Sequence, residues 1–259
     1  MKRIFCLVLC LLLALPALAL GEEAAYEQPE LVADSVEIID VDGYQFKDLN
    51  KNGALDPYED WRLSAEERTA DLLSQMTNEE KAAQMLHMTL VTLKESWFNE
   101  LNVGFVLAYT YLSEGVEAAV EKGNEVQALS EASRLGIPVV FSMDSVIGAS
   151  WIDGTTILPD QITMAAAGDV ELVRELTDMQ RREMKALGIR MSLSPVADIA
   201  TDPRWGRVQE CFGEDAELAA QMVVAAIEGL QNGNALTEES VMACVKHFPG
   251  SGPQTAGVD

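Results

Sequence analysis

The 259-residue sequence has little positive charge, few cysteines and few aromatic residues. Its 18 Lys and Arg residues stand against 42 Asp and Glu, which gives a formal net charge of −24. A surface of that sign repels phosphate backbones, so the composition argues against nucleic-acid binding. Of the 4 cysteines, Cys6 and Cys10 lie in an apolar leader, which leaves Cys211 and Cys244. Two cysteines make no disulfide framework. A single bridge is one reading, and we favour two free thiols.

The sequence also lacks a Gly-rich phosphate loop, a metalloprotease helix motif and any low-complexity linker. Its long apolar run lies at the start, where two basic residues precede the stretch 4–20 and Ala17-Leu18-Ala19 resembles a cleavage site. This pattern predicts a secretory signal peptide over residues 1–21. An uncleaved membrane anchor is the alternative, although the run is short for a spanning helix and contains Pro16. We expect a secreted or periplasmic protein without membrane association after signal cleavage.

An acidic, weakly patterned stretch over residues 22–40 is expected to form a mobile arm. The sequence DLNKNGALDPYE at 48–59 then fits the twelve-residue calcium loop, with oxygen donors at positions one, three, five and nine, Gly at six and Glu at twelve. The candidate metal ligands are Asp48, Asn50, Asn52, Ala54 (through its carbonyl), Asp56 and Glu59. An ordinary turn rich in Asn and Asp is the alternative. Calcium would be structural here, and no cofactor is expected to be needed for catalysis.

Capping-box signals at Ser64 and Thr77 predict helices over 64–75 and 77–88. The second helix would carry Met85 as core filler and His87 as a packed or surface residue. Strand-like apolar runs then alternate with helical patterns. The predicted strands are 103–108, 137–141, 189–193 and 241–245, and the predicted helices are 113–135, 169–187 and 215–231. This alternation predicts an α/β fold with a parallel sheet. Spacing alone does not separate half of an eight-unit barrel from an open doubly wound sheet.

Charged side chains follow the ends of three predicted strands. Asp144 follows the second run, Arg207 lies in the loop after the third, and Lys246 and His247 end the fourth. Ligands bind at this edge in parallel folds. A carboxylate that accepts and cations that donate directed hydrogen bonds are the groups that vicinal sugar hydroxyls require. These four residues are therefore the candidate substrate-binding set.

Structural roles are the alternative for several residues of this region. Asp144 could cap the loop that follows it, and Arg207 could pair with Glu210 or Asp198. Two further residues of the RWGR stretch are expected to act mainly in structure, Arg204 by bracing the loop and Trp205 by packing beneath it.

Three motifs in this region, DPRWGR, ECFGED and KHFPGSG, resemble glycoside hydrolase family 3, in the branch of retaining β-glucosidases and β-xylosidases. The resemblance covers residues 41–259 and implies a TIM-type (β/α) barrel, of which about half is present. It also implies that Asp144, Arg207, Lys246 and His247 hold the non-reducing terminal sugar. Ile147 stands where the family usually has a histidine, so the packing of the loop after Asp144 departs from the pattern.

The same resemblance implies a retaining mechanism with two carboxyl groups about 5 Å apart. The family nucleophile lies in a Ser-Asp-Trp type motif and the acid/base later still. Neither is found in this sequence, so we expect no catalytic residue in it and no hydrolysis by this chain alone. The expected substrate of the enzyme is an oligosaccharide or aryl β-glycoside. N-acetyl-β-hexosaminidase is the alternative, although Ser251 and Gly252 replace the histidine of that branch, and a non-catalytic glycan-binding module stabilised by calcium also stays open.

Overall fold

The computed structural model describes residues 26–248, 250, 251 and 255–257. The predicted signal peptide and the first residues of the predicted arm lie outside the described residues. Within the described part, no helix is both long and apolar enough to cross a membrane.

An antiparallel hairpin comes first and is followed by parallel strands separated by helices. The strands are β1 (Ile38–Val41), β2 (Tyr44–Lys47), β3 (His87–Thr89), β4 (Phe105–Leu107), β5 (Val140–Met143), β6 (Ile189–Ser192) and β7 (Met242–Ala243). The α-helices are α1 (Ala65–Gln75), α2 (Asn78–Gln84), α3 (Ser96–Asn99), α4 (Val116–Glu131), α5 (Gln161–Ala167), α6 (Val170–Ala186) and α7 (Ala216–Gln231).

The parallel sheet has the strand order β3-β4-β5-β6-β7, so each strand pairs with its neighbour along the chain. An open doubly wound sheet would contain a reversal of strand order, whereas a barrel adds its strands in sequence. The structure therefore confirms an incomplete TIM-type barrel. It contains five consecutive strands where the sequence predicted four, and β7 is shorter than the predicted strand 241–245.

The additional strand is β3, and the prediction for this segment was wrong. Helix α2 ends at Gln84, and His87–Thr89 pairs with Phe105–Leu107 instead of continuing the helix. His87 lies on this strand, with its Nε2 atom 2.6 Å from Ser142 Oγ. Met85 is 84% exposed, so it does not fill the core. Tertiary pairing with β4 overrides the helical pattern of the apolar residues here.

The predicted mobile arm is bound to the barrel over the part that the structure describes. The backbone N–H groups of Asp34 and Ser35 donate to Glu131 Oε2 at 2.8 and 2.7 Å, and Lys47 Nζ donates to Glu131 Oε1 at 2.6 Å. Strand β1 begins at Ile38, inside the predicted arm, and continues across its boundary at residue 40. The arm prediction missed this hairpin because its contacts are made with α4, far along the chain.

Four helices, α1, α2, α6 and α7, begin within one residue of their predicted starts, whereas α4 begins three residues later than predicted and α3 and α5 were not predicted. Ser64 and Thr77 form the expected capping boxes, and Asp169 and Asp215 accept hydrogen bonds from the first backbone N–H groups of α6 and α7. The core of the sheet is built from fully buried residues such as Val106, Phe141 and Ile189. A second cluster joins α5, α6 and α7. Because the strands are parallel, their carboxyl ends lie at the same edge of the sheet, where the candidate residues lie.

Candidate functional site

Three segments bring the four predicted residues to the carboxyl edge of the sheet. Asp144 directly follows β5, Arg207 lies in the loop after β6, and Lys246 and His247 follow β7. Lys246 Nζ lies 2.5 Å from Asp144 Oδ1, and Arg207 Nη1 lies 3.2 Å from His247 Nε2. Because Lys246 and His247 are adjacent, these two contacts join all four residues in one cluster.

The ion pair between Lys246 and Asp144 joins residues 102 positions apart in sequence. Their side chains are 15% and 27% exposed, so both charges are largely removed from water. A buried charge is costly unless a partner compensates it, and each of these residues provides that compensation for the other. The Asp144 side chain thus binds Lys246 across the sheet, which differs from the loop cap considered as its alternative.

Asp198 is a site residue that the sequence analysis considered only as a partner for Arg207. Its fully buried carboxylate accepts hydrogen bonds from His247 Nδ1 at 2.6 Å, from the backbone N–H of His247 at 3.2 Å and from that of Ser251 at 2.7 Å. The signal in the sequence is a carboxylate placed directly after the apolar run that continues β6. Such a group must find donors when it is buried.

The tautomer of His247 follows from these contacts. A guanidinium group only donates hydrogen bonds, so His247 Nε2 must accept from Arg207 Nη1. The proton of the neutral imidazole then sits on Nδ1 and is donated to Asp198. The ring is held from both sides and presents a defined edge to the cluster.

Arg207 makes the pair with Glu210 that was considered as its structural alternative, and it also contacts His247. Its Nε and Nη2 atoms donate to the Glu210 carboxylate at 2.9 and 2.7 Å, while Nη1 reaches His247. The two residues are three apart, and the short 3₁₀ turn Val208–Glu210 places them side by side. The bidentate pair fixes the plane of the guanidinium, which leaves one edge directed at His247.

The backbone under Lys246 is attached to the extension of β6. A parallel bridge joins Val196 to Lys246, with Ala197 N donating to Lys246 O at 2.6 Å and Lys246 N to Pro195 O at 3.1 Å. The Ser194–Pro195 and Lys246–His247 peptide bonds are cis. The backbone hydrogen bonds to Pro195 and Ala197 hold Lys246 and His247 beyond the end of β7, next to Asp198.

Trp205 and Arg204 take the structural roles that were expected of them. Trp205 is 2% exposed and packs with Val196 and Cys211, and Arg204 forms an ion pair with Asp202 at 2.6 Å. Cys211 and Cys244 are free thiols, as favoured. Burial raises the pKa of Cys211 to about 12. These residues support the loop that carries Arg207.

Comparison with known proteins decides the family. The model of the glycosyl hydrolase family 3 N-terminal domain matches residues 77–258. The chain belongs to glycosyl hydrolase family 3.

The chain is similar to curated proteins and solved structures that are named for more than one glycosidase activity. The chain is 40% identical to a periplasmic β-glucosidase/β-xylosidase of Dickeya chrysanthemi over 96% of its own length and 41% of the relative's. A β-glucosidase structure from Erythrobacter marinus superposes with a TM-score of 0.66 at 31% identity, covering 74% of this chain and 26% of that one. A family 3 β-N-acetylglucosaminidase structure from Paenibacillus gives 0.61 at 27% identity, covering 70% and 34%. The chain thus spans about two fifths of the length of the curated relative from Dickeya.

The loop after Asp144, where this family 3 chain departs from the family pattern at Ile147, is closed by its own backbone. Leu158 N donates to Ile147 O at 3.0 Å, and Gly148 adopts a positive φ of 90°. A Cβ atom on Gly148 would lie 2.6 Å from Thr156 O, so a side chain at this position would clash. The loop is therefore closed without a histidine at position 147.

Two aromatic residues lie against Asp144 that the sequence analysis did not identify. Trp151 Nε1 donates to Asp144 O at 2.8 Å, and Tyr109 lies near enough to the Asp144 carboxylate for its charge to act on the hydroxyl. The two rings meet edge to face, with centroids 4.7 Å apart. Burial and the Asp144 charge raise the pKa of Tyr109, and the charge of Arg207 acts on it in the opposite direction. Tyr109 is thus close to both halves of the cluster.

The predicted calcium loop at 48–59 is closed by hydrogen bonds among its own residues. Asp48 and Glu59, both nearly buried, accept from backbone N–H groups of the loop at 2.7–3.1 Å. The amides of Asn50 and Asn52 both donate to Asp56 Oδ2 at 2.6 Å. Among the described residues, no group of three or more His, Cys, Asp or Glu is arranged to hold a metal ion. The oxygen donors suit calcium, and calcium binding stays a prediction.

Proposed function

We propose that this chain forms the sugar-binding part of a secreted or periplasmic β-glycosidase that releases non-reducing terminal glucose or xylose. Asp144, Lys246, His247 and Arg207 bind and orient that sugar. The observation that carries the proposal is their convergence from separate strand ends, with Lys246 and Asp144 2.5 Å apart and Arg207 3.2 Å from His247.

The chemistry of the cluster suits a neutral polyhydroxylated ligand. Lys246 and Arg207 offer N–H donors, Asp144 offers acceptor oxygens, and each charge already has a partner of opposite sign or a hydrogen-bonded neighbour. A sugar hydroxyl both donates and accepts, so it can bridge such a pair without leaving a charge unpaired. The relatives named for β-glucosidase and β-xylosidase activity support the same ligand class.

In the retaining reaction that the family resemblance implies, these residues position the sugar and do not react with it. The sequence contains no Ser-Asp-Trp motif for the nucleophile. Asp215, in the acidic ECFGED motif, accepts hydrogen bonds from the first turn of α7 and acts as a helix cap. We therefore propose that the 259-residue chain binds sugar but does not hydrolyse glycosides by itself.

The test is a titration of the 259-residue chain with methyl β-D-glucopyranoside and methyl β-D-xylopyranoside, followed by NMR. Saturable binding is expected, and Lys246→Ala should weaken it by about tenfold or more, because it leaves Asp144 unpaired. Arg204→Ala is the matched control, since Arg204 is exposed and pairs with Asp202. Binding that is unchanged in Lys246→Ala, or absent in the wild type, would contradict the proposal.

A hexosaminidase is the second candidate, favoured by the structural similarity to the Paenibacillus β-N-acetylglucosaminidase. Methyl N-acetyl-β-D-glucosaminide in the same titration separates the two, because it should bind more weakly than the glucoside if the glucosidase assignment holds. An assay with 4-nitrophenyl β-glucoside tests the inactivity of this chain, and turnover above that of the Lys246→Ala variant would refute it.

A further inference from the structure

We infer that Trp151 and Tyr109 form an aromatic wall of the sugar site that packs against the C–H face of the sugar held by Asp144. This inference rests on the proposed function. It adds Trp151 to the binding site as a sugar contact, and Tyr109 as a contact that also lies beside the Asp144 carboxylate.

Trp151 is a large aromatic side chain left partly open to solvent next to the cluster. It is 45% exposed, while Trp205 in the neighbouring loop is 2% exposed. Exposed indoles are usually free to change rotamer, but this one is held. Its N–H donates to Asp144 O at 2.8 Å and its ring packs on Tyr109. A fixed, exposed aromatic face is costly in water and gains stability when an apolar surface covers it.

Tyr109 links the wall to the carboxylate. Its ring packs on Trp151, whose N–H donates to Asp144 O. Its hydroxyl lies near enough to the Asp144 carboxylate for that charge to act on it, and Lys246 Nζ binds the same carboxylate. The Asp144 side chain thus has a tyrosine that follows β4 and a lysine that follows β7 as its neighbours. Loss of the hydroxyl removes one polar neighbour of the carboxylate, while Lys246 still holds it.

A pyranose ring matches this combination of groups. Its hydroxyls lie around the rim and bond to carboxylates and cations, while its axial C–H groups form an apolar face. An aromatic ring fixed through the backbone of the residue that binds the hydroxyls stands where that face would lie. A flexible ligand without a rigid apolar face would gain less from the wall, so the wall favours a cyclic sugar.

The test is sugar affinity of the 259-residue chain carrying single substitutions, with methyl β-D-glucopyranoside as the probe. Trp151→Leu removes the aromatic face and should raise the Kd by about tenfold, and Trp151→Phe, which keeps a ring but loses the N–H, by about threefold. Tyr109→Phe should raise the Kd by about threefold, because the carboxylate loses a polar neighbour. Trp97→Phe and Tyr111→Phe are matched controls, because Trp97 packs against Lys94 and Tyr111 against Lys122, and both variants should bind like the wild type.

A direct readout keeps the test valid if Trp151→Leu does not fold. In the wild type, the indole N–H resonance of Trp151, assigned by its loss in Trp151→Phe, should shift during the titration, whereas that of Trp97 should not. A merely structural role would change the melting temperature without changing the Kd.

The outcomes distinguish a failure of the aromatic-wall proposal from a failure of the proposed function. If Lys246→Ala loses binding while Trp151→Leu and Tyr109→Phe keep wild-type affinity, the wall is refuted and the proposed function stands. If Lys246→Ala also binds like the wild type, or the wild type binds no sugar, both fail together.

Discussion

The Asp198→Asn substitution is the sharpest test of how the cluster is held. It preserves shape and removes one charge beneath His247. Asparagine keeps one acceptor oxygen, which can still receive the Ser251 N–H, but its amide nitrogen then faces His247. Since that nitrogen donates, His247 Nδ1 must become an acceptor and its proton must move to Nε2. The new N–H then points at Arg207 Nη1, which is also a donor.

The cost can be estimated from the bonds that are lost. A hydrogen bond to a charged group contributes about 2 kcal/mol, and the opposed donors at Arg207 add to the loss. For a chain of this length, about 2 kcal/mol corresponds to a fall in melting temperature of roughly 4–8 °C. Sugar affinity should fall by about tenfold, because the edge of His247 that faces the cluster changes from acceptor to donor.

The assay is ¹⁵N NMR of the imidazole rings together with calorimetry and sugar titration. Only 2 histidines occur in the chain, so the spectrum is readily assigned. The wild type should show His247 protonated on Nδ1, and Asp198→Asn should show it on Nε2. Asp202→Asn is the matched control, because Asp202 lies in the same loop and pairs with Arg204. A wild-type His247 protonated on Nε2 would refute the assignment.

Three further predictions concern stability and reactivity. Gly229→Ala should destabilise the fold by about 2 kcal/mol, because its Cβ would lie 2.0 Å from a side-chain oxygen of α6 and 2.5 Å from a backbone oxygen of that helix. Gly123→Ala, within α4, meets nothing within 4 Å and should stabilise by about 1 kcal/mol, so equal melting temperatures for the two variants would contradict this reasoning. Cys244 should be alkylated by iodoacetamide at mildly alkaline pH while Cys211 is not, since burial raises the pKa of Cys211 to about 12; mass spectrometry of the peptides decides this. If the loop at 48–59 binds calcium, the melting temperature should be several degrees higher in calcium than in EDTA, and equal melting temperatures would contradict the calcium prediction.

Local signals in the sequence were sufficient for the helices. Ser64 and Thr77 are followed three residues later by Glu, and both capping boxes form because all of their bonding groups lie within one turn. The end of α2 was not predictable in the same way. His87 joins a strand because β4 is available to pair with it, and that partner lies some twenty residues further on.

In the candidate site too, residues with a local sequence signal could be predicted, and residues that depend on tertiary contacts could not. Asp144, Arg207, Lys246 and His247 could be found because each follows a strand-like run and stands in a recognisable motif. Asp198 and Trp151 could not be assigned, since nothing local shows that the first lies under His247 or that the second bonds to the backbone of Asp144. Their roles depend on how strands β5, β6 and β7 are aligned in the sheet.

Alignment of those strands also explains how so acidic a chain holds two cations in its candidate site. Lys246 and Arg207 are each paired with a carboxylate from the same site, so their charges are not neutralised by the acidic surface at large. The pairs are short and partly buried, and salt screens such contacts much less than it screens exposed ones. A sugar that enters does not have to separate the charges, because its hydroxyls can bond to donor and acceptor at once. An anionic ligand would compete with Asp144 and Glu210 for the same two cations and would leave a buried carboxylate unpaired, which is costly. We therefore expect the pairing within the cluster, more than the net charge of the chain, to select for an uncharged ligand.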